Sequence, residues 1–282
     1  MILTPLLLLC IHLTGCTSKP YIIKKSSAGH FESAKEDTQR PEIKHFDVGE
    51  YYKYQVDWLG VPVGYVVFQV VKTAMVKGDE TYQVRLRAMT NEYASKIYKI
   101  DDRYTSYVEK KDLVPVRYDA DRKEGGYRKN SVTFFDHEKK RAYFKNYHDG
   151  SEKEYDIPHG VQDPISSIMK ARSLKMRLGD SVKVKVANNE KVYDLNVRVE
   201  RCDIIEIDGM DEYEAFYLTP YADLEGKRVK KGKVSGYIST DKKRRLIYAE
   251  VRAPLFTKLT VKLVEMGRSD EEVYPIENEK GG

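Results

Sequence analysis

Apolar and polar residues alternate along most of the middle of the chain. Tyr82, Val84, Leu86 and Ala88 alternate with Gln83, Arg85 and Arg87, and Val182, Val184 and Val186 with Lys183 and Lys185. Tyr193, Leu195, Val197 and Val199 alternate with Asp194, Asn196, Arg198 and Glu200, and Leu259, Val261 and Leu263 repeat the scheme. A period of two buries one face of an extended segment and wets the other, as antiparallel strands do. Lys77-Gly78-Asp79, Glu124-Gly125-Gly126, His148-Asp149-Gly150, Ile207-Asp208-Gly209 and Lys231-Gly232 supply turns between the runs. The pattern predicts an all-β, mainly antiparallel fold of roughly twelve strands, long and curved, forming a partial barrel or curved sheet.

One segment changes period. Asp163 is an N-cap type followed by Pro164, and Ile165, Ile168, Met169 and Arg172 fall at i, i+3, i+4 and i+7. A single short helix is expected near 164–176, ended by Leu178-Gly179-Asp180. Such a helix either plugs one end of a barrel, with Ile165, Ile168 and Met169 in the core, or lines a pocket with the same residues facing a ligand.

The first sixteen residues read differently. Ile2 to Leu13 is apolar apart from Thr4 and His12, and Leu13-Thr14-Gly15-Cys16 follows. Twelve helical residues span about 18 Å, short of the ~30 Å hydrocarbon core, which excludes a spanning helix there and favours a secretory signal. Leu13-Thr14-Gly15-Cys16 resembles a bacterial lipobox, which implies cleavage after residue 15 and acylation of Cys16. No Lys or Arg precedes the apolar run, a departure from the usual signal pattern. Thr17 and Ser18 stand where an aspartate retains Gram-negative lipoproteins at the inner membrane, so the resemblance implies the outer membrane, facing the periplasm. The expected division is a signal over 1–15, an acylated cysteine and flexible tether over 16–45, a β domain over 46–267 and an acidic tail over 268–282. Cys202 is then the one cysteine of the mature domain, which has no intramolecular disulfide and relies on its core. It reads as a small buried hydrophobe.

Composition agrees with a globular domain: 41% hydrophobic and 33% charged residues with a mean hydropathy of −0.60 exclude a polytopic membrane protein. Twenty-two tyrosines against 8 phenylalanines suit half-exposed pleated surfaces. The +5 net charge is too mild to imply a nucleic-acid partner. The histidines show no metal-ligand spacing, and no G-x-S-x-G elbow, phosphate loop or H-E-x-x-H is present, so neither a cofactor, a metal nor a catalytic residue is expected. Asp101-Asp102 and Asp119/Asp121 place carboxylates close together, as an acid/base pair or as solvated strand edges. Lys227, Arg228, Lys230, Lys231 and Lys233, then Lys242, Lys243, Arg244 and Arg245, form two basic clusters at the two ends of an expected strand over 234–240. They suit anionic headgroups or, more plainly, soluble hairpin tips.

Gly49-Glu50 leading to Tyr54-x-Val56-x-Trp58-x-Gly60-Val61-x-x-Gly64 resembles the opening of the domain of unknown function 3108 family. Leu113-Val114-Pro115-Val116-Arg117-Tyr118 resembles its pattern, as do Val161-Gln162-Asp163-Pro164-Ile165-Ser166-Ser167-Ile168 and the closing Ser239-x-Asp241-x-x-x-Arg245. The resemblance spans about residues 46–266 and implies an exported, antiparallel β fold with no established activity. Together these readings lead to a non-enzymatic lipid-anchored protein whose β domain binds an apolar or amphipathic envelope component. The alternative is a docking lipoprotein that meets an envelope partner through a basic surface or strand edge, and a hydrolase is the third reading. Interior volume discriminates the first two: a cavity of several hundred Å³ favours carriage and a filled interior favours docking.

Overall fold

The structure is a computed structural model and describes residues 21–24, 46–207, 210–229, 232–253 and 257–273. Cys10, Cys16 and the lipobox, most of the expected tether and residues 274–282 of the expected tail lie outside them. One meander runs through β2 (Glu50–Trp58), β3 (Val61–Val76), β4 (Asp79–Thr90), β5 (Asp101–Glu109), β6 (Pro115–Glu124), β7 (Tyr127–Asp136), β8 (Arg141–Asn146) and β9 (Glu152–Asp156). A second comprises β10 (Ser181–Asn188), β11 (Lys191–Ile207), β12 (Glu212–Leu224), β13 (Lys227–Arg228), β14 (Lys233–Ser239), β15 (Leu246–Ala253) and β16 (Thr257–Arg268). β16 pairs with β2 and joins the two, and β1 (Tyr21–Lys24) pairs with β11. All pairings between the named strands are antiparallel. The sixteen strands of the described residues exceed the roughly twelve that alternation predicts, because β1, β13 and the charged β9 are too short or too polar to carry a pattern.

The sheet curls on itself. Its longest strands, β3 and β11 with 16 and 17 residues, each carry a register shift, between Val70 and Lys72 and between Val199 and Arg201. Such bulges bend a strand and increase its twist. As a result Tyr82, Val84 and Tyr104 of β4 and β5 share one buried cluster with Ile205, Tyr213 and Tyr237 of β11, β12 and β14. Hydrogen bonding does not close the ring, since β9 ends one edge and β10 and β1 share the other. The chain between β9 and β10 fills that seam. Ile157 N–H donates to Lys140, Gln162 N–H to Lys185, and Ala187 N–H back to Gln162. Phe135, Ala142, Ile157, Val161 and Ala187 pack across the gap.

Among the described residues two helices appear rather than one: α1 (Glu92–Ser95) and α2 (Ser166–Ser173). α2 is shorter than the expected 164–176. It begins at Ser166 with Ile165 at the N-cap, two residues later than the expected Asp163-Pro164 start, and Asp163 Oδ1 accepts the N–H groups of Ile165 and Ser166 just ahead of it at 2.6 and 2.8 Å. Ile165 and Met169 enter the core, so the helix is a plug. Ile168 does not; it is 37% exposed, because the face that turns inward runs through Ile165, Met169 and Arg172 instead. α2 sits at the end of the barrel where β2 begins and β12 begins, here called the closed end. The turns after β2, β6, β8, β10 and β12 form the opposite, cleft end.

Two boundaries are corrected. The expected tether over 16–45 is interrupted by β1, whose Tyr21, Ile22, Ile23 and Lys24 lie opposite Ile207, Glu206, Ile205 and Ile204. Two β-branched isoleucines between Tyr21 and Lys24 favour an extended segment, which pairs the otherwise free edge of β11. The expected tail over 268–282 begins on the domain: Gln69 Nε2 donates to the Glu271 carbonyl at 2.9 Å, Val273 N–H donates to Gln69 Oε1 at 2.9 Å, and Glu272 pairs with Arg85. Cys202 is half-buried rather than fully buried, packed beside Met176, Val199, Phe216 and Ile238.

Candidate functional site

Alternation separates the carboxylates that sequence placed side by side. Asp101 faces outward, held by Arg87 at 2.8 Å and Arg103 at 2.7 Å. Asp102 faces inward, accepting from Tyr104 Oη at 3.0 Å and Lys123 N–H at 2.9 Å. Asp119 and Asp121 pair with Arg117 and Lys123 on the outer face. Neither sequence pair therefore converges. A different one does: β5 and β6 bring Asp102 and Glu124 together with Arg122 between them, Arg122 Nε lying 2.9 Å from Glu124 Oε1 and 3.7 Å from Asp102 Oδ2. Burial, with Glu124 beside it, pushes the Asp102 carboxyl up to about 6. The signal was the alternation of Asp102, Tyr104 and Ser106, which assigns all three to the inner face, but the partner strand supplying Glu124 is a matter of register.

The helix cap forms a second buried carboxylate. Ser106 Oγ donates to Asp163 Oδ2 at 2.5 Å, and burial pushes Asp163 up to about 6 despite these donors. No histidine nitrogen bonds to Ser106 or Asp163 among the described residues, and His137 Nε2 lies 2.8 Å from the Pro115 carbonyl. No group of three or more His, Cys, Asp or Glu among the described residues could hold a metal ion.

A cleft of about 50 Å³ opens at the cleft end. Tyr104, Tyr118, Phe144 and Tyr155 form its aromatic walls, Ser131, Thr133 and Arg122 its polar floor, and the Asn188-Asn189-Glu190 turn its lip. Tyr104 and Tyr118 lie parallel with ring centroids 6.3 Å apart. Lys129 stands over the Phe144 ring at 4.9 Å, and Arg122 over Tyr127 at 5.1 Å. Buried Glu190 Oε1 has no hydrogen-bond partner. The cleft holds a few waters by volume and is far below the ~300–1,000 Å³ of drug-sized ligand sites.

The same end concentrates exposed apolar side chains. Leu59 is in the β2–β3 turn, Tyr93 and Ile97 lie in and just after α1, Tyr127 opens β7, Tyr147 follows β8 and Tyr221 is near the end of β12. The tips are tied together, Asn91 N–H donating to Val63 and Asn91 Nδ2 to Pro62, Gly125 N–H to Lys99, and Tyr147 N–H to Asn130. Cations accompany the rings: Lys96 over Tyr93 at 5.7 Å and Arg228 over Tyr221 at 3.3 Å. No periodic pattern in the sequence marks this rim, because its apolar residues are scattered over turns far apart in the chain.

The two basic clusters do fall at opposite ends of β14, as the sequence suggests. Lys227, Arg228 and Lys233 are at the cleft end, with Arg228 paired to Asp223 at 3.0 Å. Lys230 and Lys231 lie outside the described residues. At the closed end the charges are largely structural. Lys243 pairs with Asp47, Arg245 with Asp241 at 2.5 Å, and Arg244 is buried.

The family model described as Protein of unknown function (DUF3108) matches residues 53–263. The chain belongs to that family. No curated protein matches it. Among solved structures, a β-barrel-like protein of domain of unknown function DUF1849 from Brucella abortus is 11% identical, with a TM-score of 0.53 over 79% of this chain and 98% of that one. This likeness agrees with the curled antiparallel sheet. A candidate lipoprotein from Parabacteroides distasonis is 9% identical, with a TM-score of 0.32 over 80% of this chain and 97% of that one.

Proposed function

We propose that this family member is a non-enzymatic, lipid-anchored protein of the cell envelope, acylated at Cys16 and facing the periplasm from the outer membrane, whose β domain docks a protein partner. The observation that carries the reading is one buried cluster spanning both meanders and α2 beside an exposed apolar rim. Residues of both meanders meet Ile165 and Met169 of α2 in one buried cluster, leaving little room there for an apolar cargo. Leu59, Tyr93, Ile97 and Tyr127 meanwhile stand 46–78% exposed at the cleft end. Isolated apolar side chains are ordinary on a surface, but a group of aromatic and aliphatic tips at one end suits a docking surface. Lys99, Arg128 and Lys227 sit among them, while Lys96 pairs with Glu92 at 3.5 Å, so the rim carries charges of both signs around its apolar tips and suits a partner surface that is apolar with a mixed-charge border.

The test is a photo-crosslinking residue placed at Tyr93 or Tyr127 in cells. A discrete protein adduct that disappears on charge reversal (Lys96→Glu with Arg128→Glu), and that is absent when the probe sits at Tyr143 on the outer wall, supports docking. An adduct to lipid, or a small amphipathic molecule copurifying in stoichiometric amount, returns the choice to carriage of an envelope component.

A further inference from the structure

Resting on the proposed acylation of Cys16, we infer that β1 is a clamp that fixes the domain's orientation, with the closed end held against the anchoring bilayer and the cleft end pointing away from it. Five residue steps separate Cys16 from Tyr21. A chain rises at most about 3.6 Å per residue, so Tyr21 lies within about 18 Å of the acylated cysteine. Tyr21 is opposite Ile207, the last residue of β11, which places the closed end at the membrane surface.

The register extends this constraint around the barrel. Lys24 lies opposite Ile204, Ile204 opposite Glu214, and Thr240 N–H donates to the Glu214 carbonyl at 2.9 Å. The basic turn 241–245 is therefore level with β1. Its Lys242 is exposed, and neighbouring strands lie about 4.8 Å apart, so this turn is within a few strand widths of the clamp. β11 then runs 17 residues to the other end, on the order of 50 Å, so the apolar rim is out of reach of the same bilayer. A tether running unpaired from Cys16 to His45 would instead let the domain tumble, with a root-mean-square reach of about 30 Å.

The experiment uses the full-length acylated protein in vesicles of phosphatidylethanolamine and phosphatidylglycerol that carry a nitroxide on the headgroup. A fluorophore is attached at Lys242→Cys or, at the cleft end, at Glu92→Cys, each in a Cys202→Ala background. Emission lost at position 242 and retained at 92 supports the clamp. Replacing Ile22 and Ile23 by proline removes backbone donors from β1, and the difference between the two sites then vanishes. Equal quenching at both sites in the unaltered β1 overturns the inference while leaving the anchor intact. Intact mass without acyl groups on Cys16 overturns the anchor, and the clamp with it.

Discussion

Arg172 of α2 donates from Nη1 to Glu50 Oε1 at 2.8 Å, and both side chains are buried. This pair joins the plug to the first strand of the meander across 122 positions of sequence. Arg172 also donates from Nη2 to Tyr52 Oη at 3.3 Å and from Nε to the Lys243 carbonyl at 3.0 Å, and it stacks on Phe46 at 5.0 Å. One guanidinium thus holds the helix, β2 and the β14–β15 turn together at the closed end. A planar fork of donors suits three partners in fixed directions, which an ammonium does not.

Removing Glu50 strands the guanidinium in the interior, a loss of about 3–5 kcal/mol for a buried pair, whereas removing Arg172 leaves Glu50 with Tyr52 Oη at 3.3 Å and Lys243 Nζ at 3.7 Å and costs less. Glu50→Gln is expected to lower the urea midpoint strongly, and Arg172→Met by less. Arg172→Lys is expected to rescue only part of it. The double replacement should cost less than the two single losses added together, because the stranded charge is gone in both partners. Equilibrium denaturation of the four variants checks the cycle.

Asp163 and Asp102 give the domain a pH dependence of definite sign. Each carboxyl is raised to about 6 in the fold from an ordinary value near 3.8. The folded state therefore holds these protons more tightly than the unfolded chain does. Their contribution is fully present below pH 3.8 and is lost as pH rises through 6, at about 1.4 kcal/mol for each pH unit between the two values. Asp163→Asn keeps an acceptor for the Ile165 and Ser166 amides and removes the titration. Its denaturation midpoint is expected to fall less steeply between pH 4 and 6 than that of the parent. An unchanged slope would show that Asp163 titrates normally.

Gly64 of β3 lies where a Cβ would collide with the Met89 carbonyl oxygen of β4. The obstacle is backbone, so the sheet must shift to admit a methyl. Gly64→Ala is expected to destabilise by about 1–3 kcal/mol, the usual range for overpacking. Gly126→Ala, where nothing lies within 4 Å and φ is unremarkable, serves as the control and is expected to change the midpoint little.

Cys16→Ala removes the thiol that the proposed anchor needs. The variant is expected to remain unprocessed or to leave the membrane fraction. Unchanged membrane retention with no lipid label on the parent protein would refute the lipobox.

The strands were legible because burial of one face writes a period of two into the residues themselves, as in Val182 to Val186 and Tyr193 to Val199. The region where α2 starts was legible for the same local reason, to within two residues: Asp163 accepts the amides of Ile165 and Ser166 just after it, and nothing distant is needed. Ile168 shows where that stops. Its spacing from Ile165 fits a buried face, but which face turns inward was decided by Arg172 meeting Glu50, a partner over a hundred residues away.

Register lies beyond local pattern in the same way. Alternation assigns Asp102 to the inner face, and only the β5–β6 pairing sets Arg122 and Glu124 against it. Likewise, Tyr21 to Lys24 reads as four apolar and basic residues in a polar stretch, and the free edge of β11 makes them a strand. The chain by itself determined the β architecture, the region of the helix start and the resemblance to its family, because these depend on neighbours in sequence. The buried cluster shared by both meanders and α2, the buried carboxylates and the apolar rim were decided by the tertiary structure, because each brings together residues that the sequence keeps far apart.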